Sequence, residues 1–219
     1  AWNGAEIDSL REARERWARH RFPALPVDEL LDAVDALDRA VNETPPLGRC
    51  WYYAYTYPKE TPPYPRPYPL QAIETLEQMD GAREQLAACA EQCSDITQTF
   101  ADLAEKTDDG DRECLDGLTA EAARARAVAD VFARLLAVRT DVAGNAVSKP
   151  TLKTAAQARV GLLEAMATVE EKKPRWLVPA ILRDLSVLLE FLEQLAQDLE
   201  EAETGTRKPE HVRWAVQTP

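Results

Sequence analysis

The stretch MDGAREQLAACAEQCSDITQTFADL, Met79 to Leu103, decides how the rest of the chain is read. Its apolar residues, Met79, Ala82, Leu86, Cys89, Cys93, Ile96, Phe100 and Leu103, alternate spacings of three and four without a slip. That is a helical seam of the kind that packs against neighbouring helices. Extended upstream to Leu70 and on to Lys106, it predicts one long amphipathic helix.

The same period recurs further along. Val178, Ile181, Leu185, Leu188, Leu192, Leu195, Leu199 and Ala202 mark a last helix, with Pro179 tolerable in its first turn. Val128, Val131, Leu135, Val138 and Val142 mark another, for which Thr119 is the expected N-cap and Gly144 the stop. Between them, Ser148 and Pro150 open a helix whose inward stripe is Leu152, Ala155, Leu162, Met166 and Val169. The polar run from Lys106 to Gly117 reads as a break, with Gly110 and Gly117 as stops. The expected fold is therefore all-α: an antiparallel up-down four-helix bundle over residues 70–203.

Upstream, Ile7, Leu10 and Trp17, then Leu30, Val34, Leu37 and Val41, describe an N-terminal helical hairpin over residues 1–43, turned at Pro23 and Pro26. Residues 204–219 read as a C-terminal tail with Trp214 a candidate anchor. Residues 44–69 depart from this pattern. All six tyrosines lie between Tyr52 and Tyr68, and eight of the 15 prolines between Pro45 and Pro69. Proline lacks the amide donor and clashes with the preceding turn, so the segment is expected to be a long extended Tyr/Pro-rich strap. Alternation along such a strap turns Trp51, Tyr53, Tyr55 and Tyr57 to one side, as a brace on the bundle. Tyr52, Tyr64, Arg66 and Tyr68 are then the candidate binding residues, for a partner protein or a glycan.

Length and charge exclude several classes. At 219 residues the chain can bury a sizeable core. Its net charge of −12, with dispersed basic residues, argues against nucleic acid. No apolar run approaches the ~18–20 residues of a membrane span.

The four cysteines, Cys50, Cys89, Cys93 and Cys114, are candidates for disulfides or structural thiols. Cys89 and Cys93 lie one helical turn apart on the seam, a poor geometry for bonding to each other, so either could pair with Cys50 or Cys114. The rival reading is a thiolate metal or redox site. Only two histidines and two methionines are present to complete such a site, and no metal ligand set or cofactor is expected. The acidic loop Thr107 to Glu113 does not match a calcium-binding loop. No catalytic motif occurs, and no catalytic residue is nominated.

The chain begins at Ala1 without a methionine, which points to signal cleavage and a secreted, periplasmic or cell-surface location. The functional expectation is a non-catalytic helical protein acting by binding or assembly, with a protein partner or self-association. The alternatives are a metal or redox bundle using Cys89 and Cys93, or an accessory helical module of a larger enzyme, a carbohydrate-active one being an example.

Overall fold

A computed structural model describes residues 10–56, 68–107, 109–172 and 178–214, with backbone alone for residues 10, 51–56, 109–110, 178–181 and 183–184. The described residues form eight α-helices: α1 (Leu10–Arg21), α2 (Val27–Asn42), α3 (Pro45–Thr56), α4 (Leu70–Glu77), α5 (Ala82–Glu105), α6 (Asp109–Ala143), α7 (Lys149–Lys172) and α8 (Val178–Glu203). A 3₁₀ turn, Pro209–His211, follows. No strand occurs among the described residues.

Helix α6 sets the architecture. From Leu115 to Val142 it buries residues on most sides, including Ala120, Ala122, Ala125, Ala127, Ala129, Val131, Phe132, Leu135 and Val138. A helix buried on so many sides has to be surrounded, even though Arg126, Asp130 and Arg134 keep one stripe of it polar. Helices α3, α4, α5, α7 and the 3₁₀ turn all pack on it. Its many alanines let those neighbours approach closely.

Pairs across the α6–α7 seam run in opposite directions: Arg134 to Gln157 at 2.8 Å, Arg126 to Glu164 at 3.5 Å and Lys172 to Asp116 at 3.4 Å. The two helices are antiparallel. Their turn is held by Thr151, which donates its hydroxyl to Asp141 Oδ2 at 2.8 Å and accepts the Ser148 amide at 3.3 Å. Thr151 is fully buried, so satisfying its hydroxyl matters.

Helices α5 to α8 pack in chain order, each on the next, and α2 lies on α5. Among the described residues α5 and α8 are not paired along their lengths, the contact that would close a four-helix square. Residues from α1, α2 and α3 also join the same buried core, among them Ala18, Leu30, Leu37 and Leu47, as does Phe22 just after α1. The described residues are thus all-helical, eight α-helices packed together.

Three sequence expectations change. The strap is not extended over its first half, because Pro45–Thr56 is helix α3. Pro45 and Pro46 fall in its first turn, where a missing amide costs nothing, and no proline follows until Pro58. The remainder, 57–67, lies outside the described residues.

Second, the helix expected over Leu70–Lys106 is two helices. Gly81 takes a left-handed φ of 66° and separates α4 from α5, a conformation that glycine adopts without penalty. Third, most of the expected break at residues 106–117 is helix: α6 begins at Asp109 and runs straight through Gly110 and Gly117. Thr119 is not an N-cap: its hydroxyl bonds back to the Leu115 carbonyl at 2.9 Å, inside the helix.

The C-terminal segment is docked at several points. Asp198, fully buried on α8, accepts two charged bonds from Arg213, at 2.6 Å and 2.9 Å, and one from the Arg213 amide at 2.8 Å. Arg207 approaches it at 3.3 Å. Burial alone would raise the Asp198 pKa, but the Arg213 bonds and the nearby Arg207 charge outweigh it and hold the carboxyl below its usual range. Trp214 is buried, with the Arg139 guanidinium of α6 over its ring at 4.8 Å.

Candidate functional site

The C-terminal half of α2 has chemistry on two sides. On one side lie thiols. Cys89 of α5 donates to the Ala40 carbonyl of α2 at 3.4 Å, and Cys50 of α3 donates to the Pro46 carbonyl at 3.3 Å. Cys89 and Cys93 share a hydrogen bond, and Cys50 is close enough to Cys89 to feel its charge. All three are buried. The seam periodicity places Cys89 and Cys93 on one inward face, and helix α3, rather than a loop, delivers Cys50.

All four cysteines are free, so the expected disulfides are not present. Cys114 sits apart, exposed on α6 near Arg21 and Asp111. Those two residues form the ion pair that ties α1 to α6.

The thiols are not equivalent. Cys93 donates its S–H to Cys89, and this bond, with a second from Thr44, stabilises a Cys89 thiolate and lowers its pKa to about 7 against the cost of burial. The same bond and burial push Cys93 up. Burial also pushes Cys50 well up. Cys89 is therefore the first of the cluster to ionise. Among the described residues, no three His, Cys, Asp or Glu side chains stand close enough together to hold a metal ion.

On the other side of α2, a cleft of about 270 Å³ opens against α6. Its apolar lining is Val34, Leu37, Val41 and Ala125, and its polar lining Asp38, Asn42, Glu121 and Arg124. The α2 contributors recur every three or four residues, hence one face of that helix. The polar groups are paired: Asn42 donates to Asp38 at 2.8 Å, and Arg124 binds Glu121 at 2.8 Å. The spacing of Val34, Leu37 and Val41 marks them as the buried face of a hairpin. Nothing in the spacing showed that α6 leaves part of that face open.

Of the nominated aromatic residues, only Tyr68 has a described side chain. Tyr52 lies on helix α3, and Tyr64 and Arg66 lie outside the described residues. Tyr68, expected to be accessible, is half-buried against the core, its ring edge-on to Phe132 at 6.2 Å between centroids. A cis peptide joins it to Pro69. No helix among the described residues is long and apolar enough to cross a membrane.

No protein family, no curated protein and no solved structure was found to match this chain.

Proposed function

We propose that this protein acts without catalysis, by binding or assembly through its helical surfaces, with the α2–α6 cleft as its recognition site. The observation that carries this reading is the cleft itself, an apolar trough with a paired polar border. At about 270 Å³ it is smaller than the ~300–1,000 Å³ of cofactor and drug-sized pockets. It suits a few aliphatic side chains presented by a partner's helix or peptide. In this reading α5 to α8 form the up-and-down bundle suggested by the heptads, and α1 to α3 form its binding edge. The Tyr/Pro segment after α3, with Tyr64 and Arg66, would extend that edge.

An apolar fluorescent probe such as anilinonaphthalene sulfonate tests the cleft. Binding should be saturable and should be lost in Val41→Trp, which fills the trough, with the melting temperature unchanged. Equal binding by the variant would remove the cleft from consideration.

A second reading is favoured by the acidic Cys89 thiol beside Cys93, a two-thiol pair that would suit a soft cation of low coordination number or a thiol redox step. Elemental analysis of protein purified without chelator separates the two. A stoichiometric metal that Cys89→Ser removes would favour the thiols over the cleft.

A further inference from the structure

Helix α7 carries a second apolar stripe on the side away from the core. Its inner residues, Ala155, Ala158, Leu162, Ala165 and Val169, are buried. Its outer residues, Lys153, Ala156, Val160, Leu163, Ala167 and Glu170, are exposed, and they recur at spacings of three and four like a coiled-coil seam. Val160 at 53% and Leu163 at 39% are two of the three large hydrophobic side chains left exposed among the described residues. Isolated exposed leucines are normal. Val160 and Leu163 together at the centre of a six-residue seam are an unpartnered helix face.

The pattern of this face names its occupant. It is palindromic about a point between residues 161 and 162. Laid antiparallel on a copy of itself, Val160 meets Leu163, Ala156 meets Ala167, and Lys153 meets Glu170. Beside the seam, Arg159 meets Glu164. Every residue thus meets its reciprocal, as a two-fold interface requires. The central pair is apolar, the flanking alanines allow close approach, and both ends join opposite charges. A parallel arrangement would instead set Lys153 against Lys153 and Glu170 against Glu170, which is repulsive.

We propose that the outer face of α7 is the contact through which two copies of this chain associate, antiparallel, across a two-fold axis at residues 161–162. Arg159 already reaches Glu193 at 3.0 Å and Glu164 already meets Arg126, so these charges become a shared border network on association. One helix face falls short of the ~800 Å² per partner of a standard interface, so the dimer is weak and concentration-dependent. The contact is separate from the α2–α6 cleft, and neither depends on the other.

Sedimentation velocity of the full chain, from ~1 to ~300 µM, tests the proposal at a range suited to a small interface. A reversible dimer is expected. Val160→Glu with Leu163→Glu should weaken it by ~10-fold or more, with unchanged helical circular dichroism, because both positions are exposed. Lys153→Glu alone should also weaken it, and adding Glu170→Lys should restore it, since the swapped charges face each other again. A chain that stays monomeric throughout, or a dimer indifferent to the Val160/Leu163 variant, would overturn the proposal. A dimer that the charge swap fails to restore would overturn the antiparallel register.

Discussion

Helices α6 and α7 lie side by side and share an alanine-rich composition, yet they use it in opposite ways. In α6 the alanines from Ala120 to Ala133 are buried on several sides of the helix, because neighbours cover most of its faces. In α7, Ala155, Ala158 and Ala165 are buried while Ala156 and Ala167 are exposed beside Val160 and Leu163. The difference teaches that apolar periodicity reports a face suited to packing, and not whether anything in the same chain packs on it. The outer stripe of α7 obeys the same three-and-four rule as its inner one.

The sharpest contrast lies inside α6. Phe132 is fully buried and holds the ring of Tyr68 edge-on. Phe132→Ala should cost about 3–5 kcal/mol by urea denaturation, from lost transfer energy plus the cavity left behind. A cost under about 1 kcal/mol would mean that α6 is not the enclosed centre.

On α7 two adjacent leucines separate its faces. Leu162 is fully buried and Leu163 is 39% exposed. Leu162→Ala should cost about 2–4 kcal/mol, whereas Leu163→Ala in the monomer should stay within about 0.5 kcal/mol. Equal costs would erase the distinction between the faces.

The enclosure of α6 also depends on the C-terminal segment, whose Trp214 lies under Arg139. Asp198→Asn removes the charge that holds Arg213 and Arg207. About 2–3 kcal/mol should be lost, less than for a fully buried pair because the arginines are partly exposed. The native Asp198 carboxyl has a lowered pKa, so its stabilisation is present above its unfolded pKa and lost as pH falls through the folded one. The Asn variant should therefore lose less stability than the parent between pH ~5 and pH ~2.

A smaller effect of opposite sign checks that α6 runs unbroken. A Cβ added at Gly117 meets nothing within 4 Å, and the residue lies inside the helix. Gly117→Ala should raise stability by about 0.5–1 kcal/mol, as alanine does in a helix interior. A loss would restore Gly117 as a helix stop.

The thiol cluster gives a spectroscopic prediction with little change in stability. Thiolate absorbance near 240 nm should rise with a midpoint at about 7 from Cys89, while Cys50, Cys93 and Cys114 ionise later. Cys93→Ala removes the donor and should move that midpoint upward. The Cys89 thiolate favours the fold increasingly as pH rises from 7 toward its unfolded value of 9.0. Above that value, the raised pKa of Cys50 works against the fold, because the unfolded thiol then ionises more readily.

Much of the helical pattern was legible because burial and periodicity coincide along α5, α6 and α8. The inward placing of Cys89 and Cys93 followed from the same seam. The sequence misleads where a single residue type points against its context. Pro45 and Pro46 suggested an extended strap, but prolines in a first turn begin a helix. Gly110 and Gly117 suggested stops, but burial of Leu115, Thr119 and Ala120 offsets roughly 1 kcal/mol per glycine. Conversely, Asp80-Gly81 is a turn dipeptide that an unbroken heptad register concealed. The α2–α6 cleft and the convergence of Cys50 on Cys89 depend on tertiary placement, which local spacing does not encode.

The claim that α7 has one face for the fold and one for a second copy is tested most directly by zero-length carbodiimide coupling at high protein concentration. Lys153 and Glu170 of one chain stand about 25 Å apart along the helix, at ~1.5 Å per residue, too far to couple within it. In the antiparallel dimer they stand opposite each other. The account predicts a Lys153–Glu170 amide in a covalent dimer, absent from the Val160→Glu/Leu163→Glu variant. A covalent dimer whose cross-links all avoid α7, or no covalent dimer at all, would contradict it.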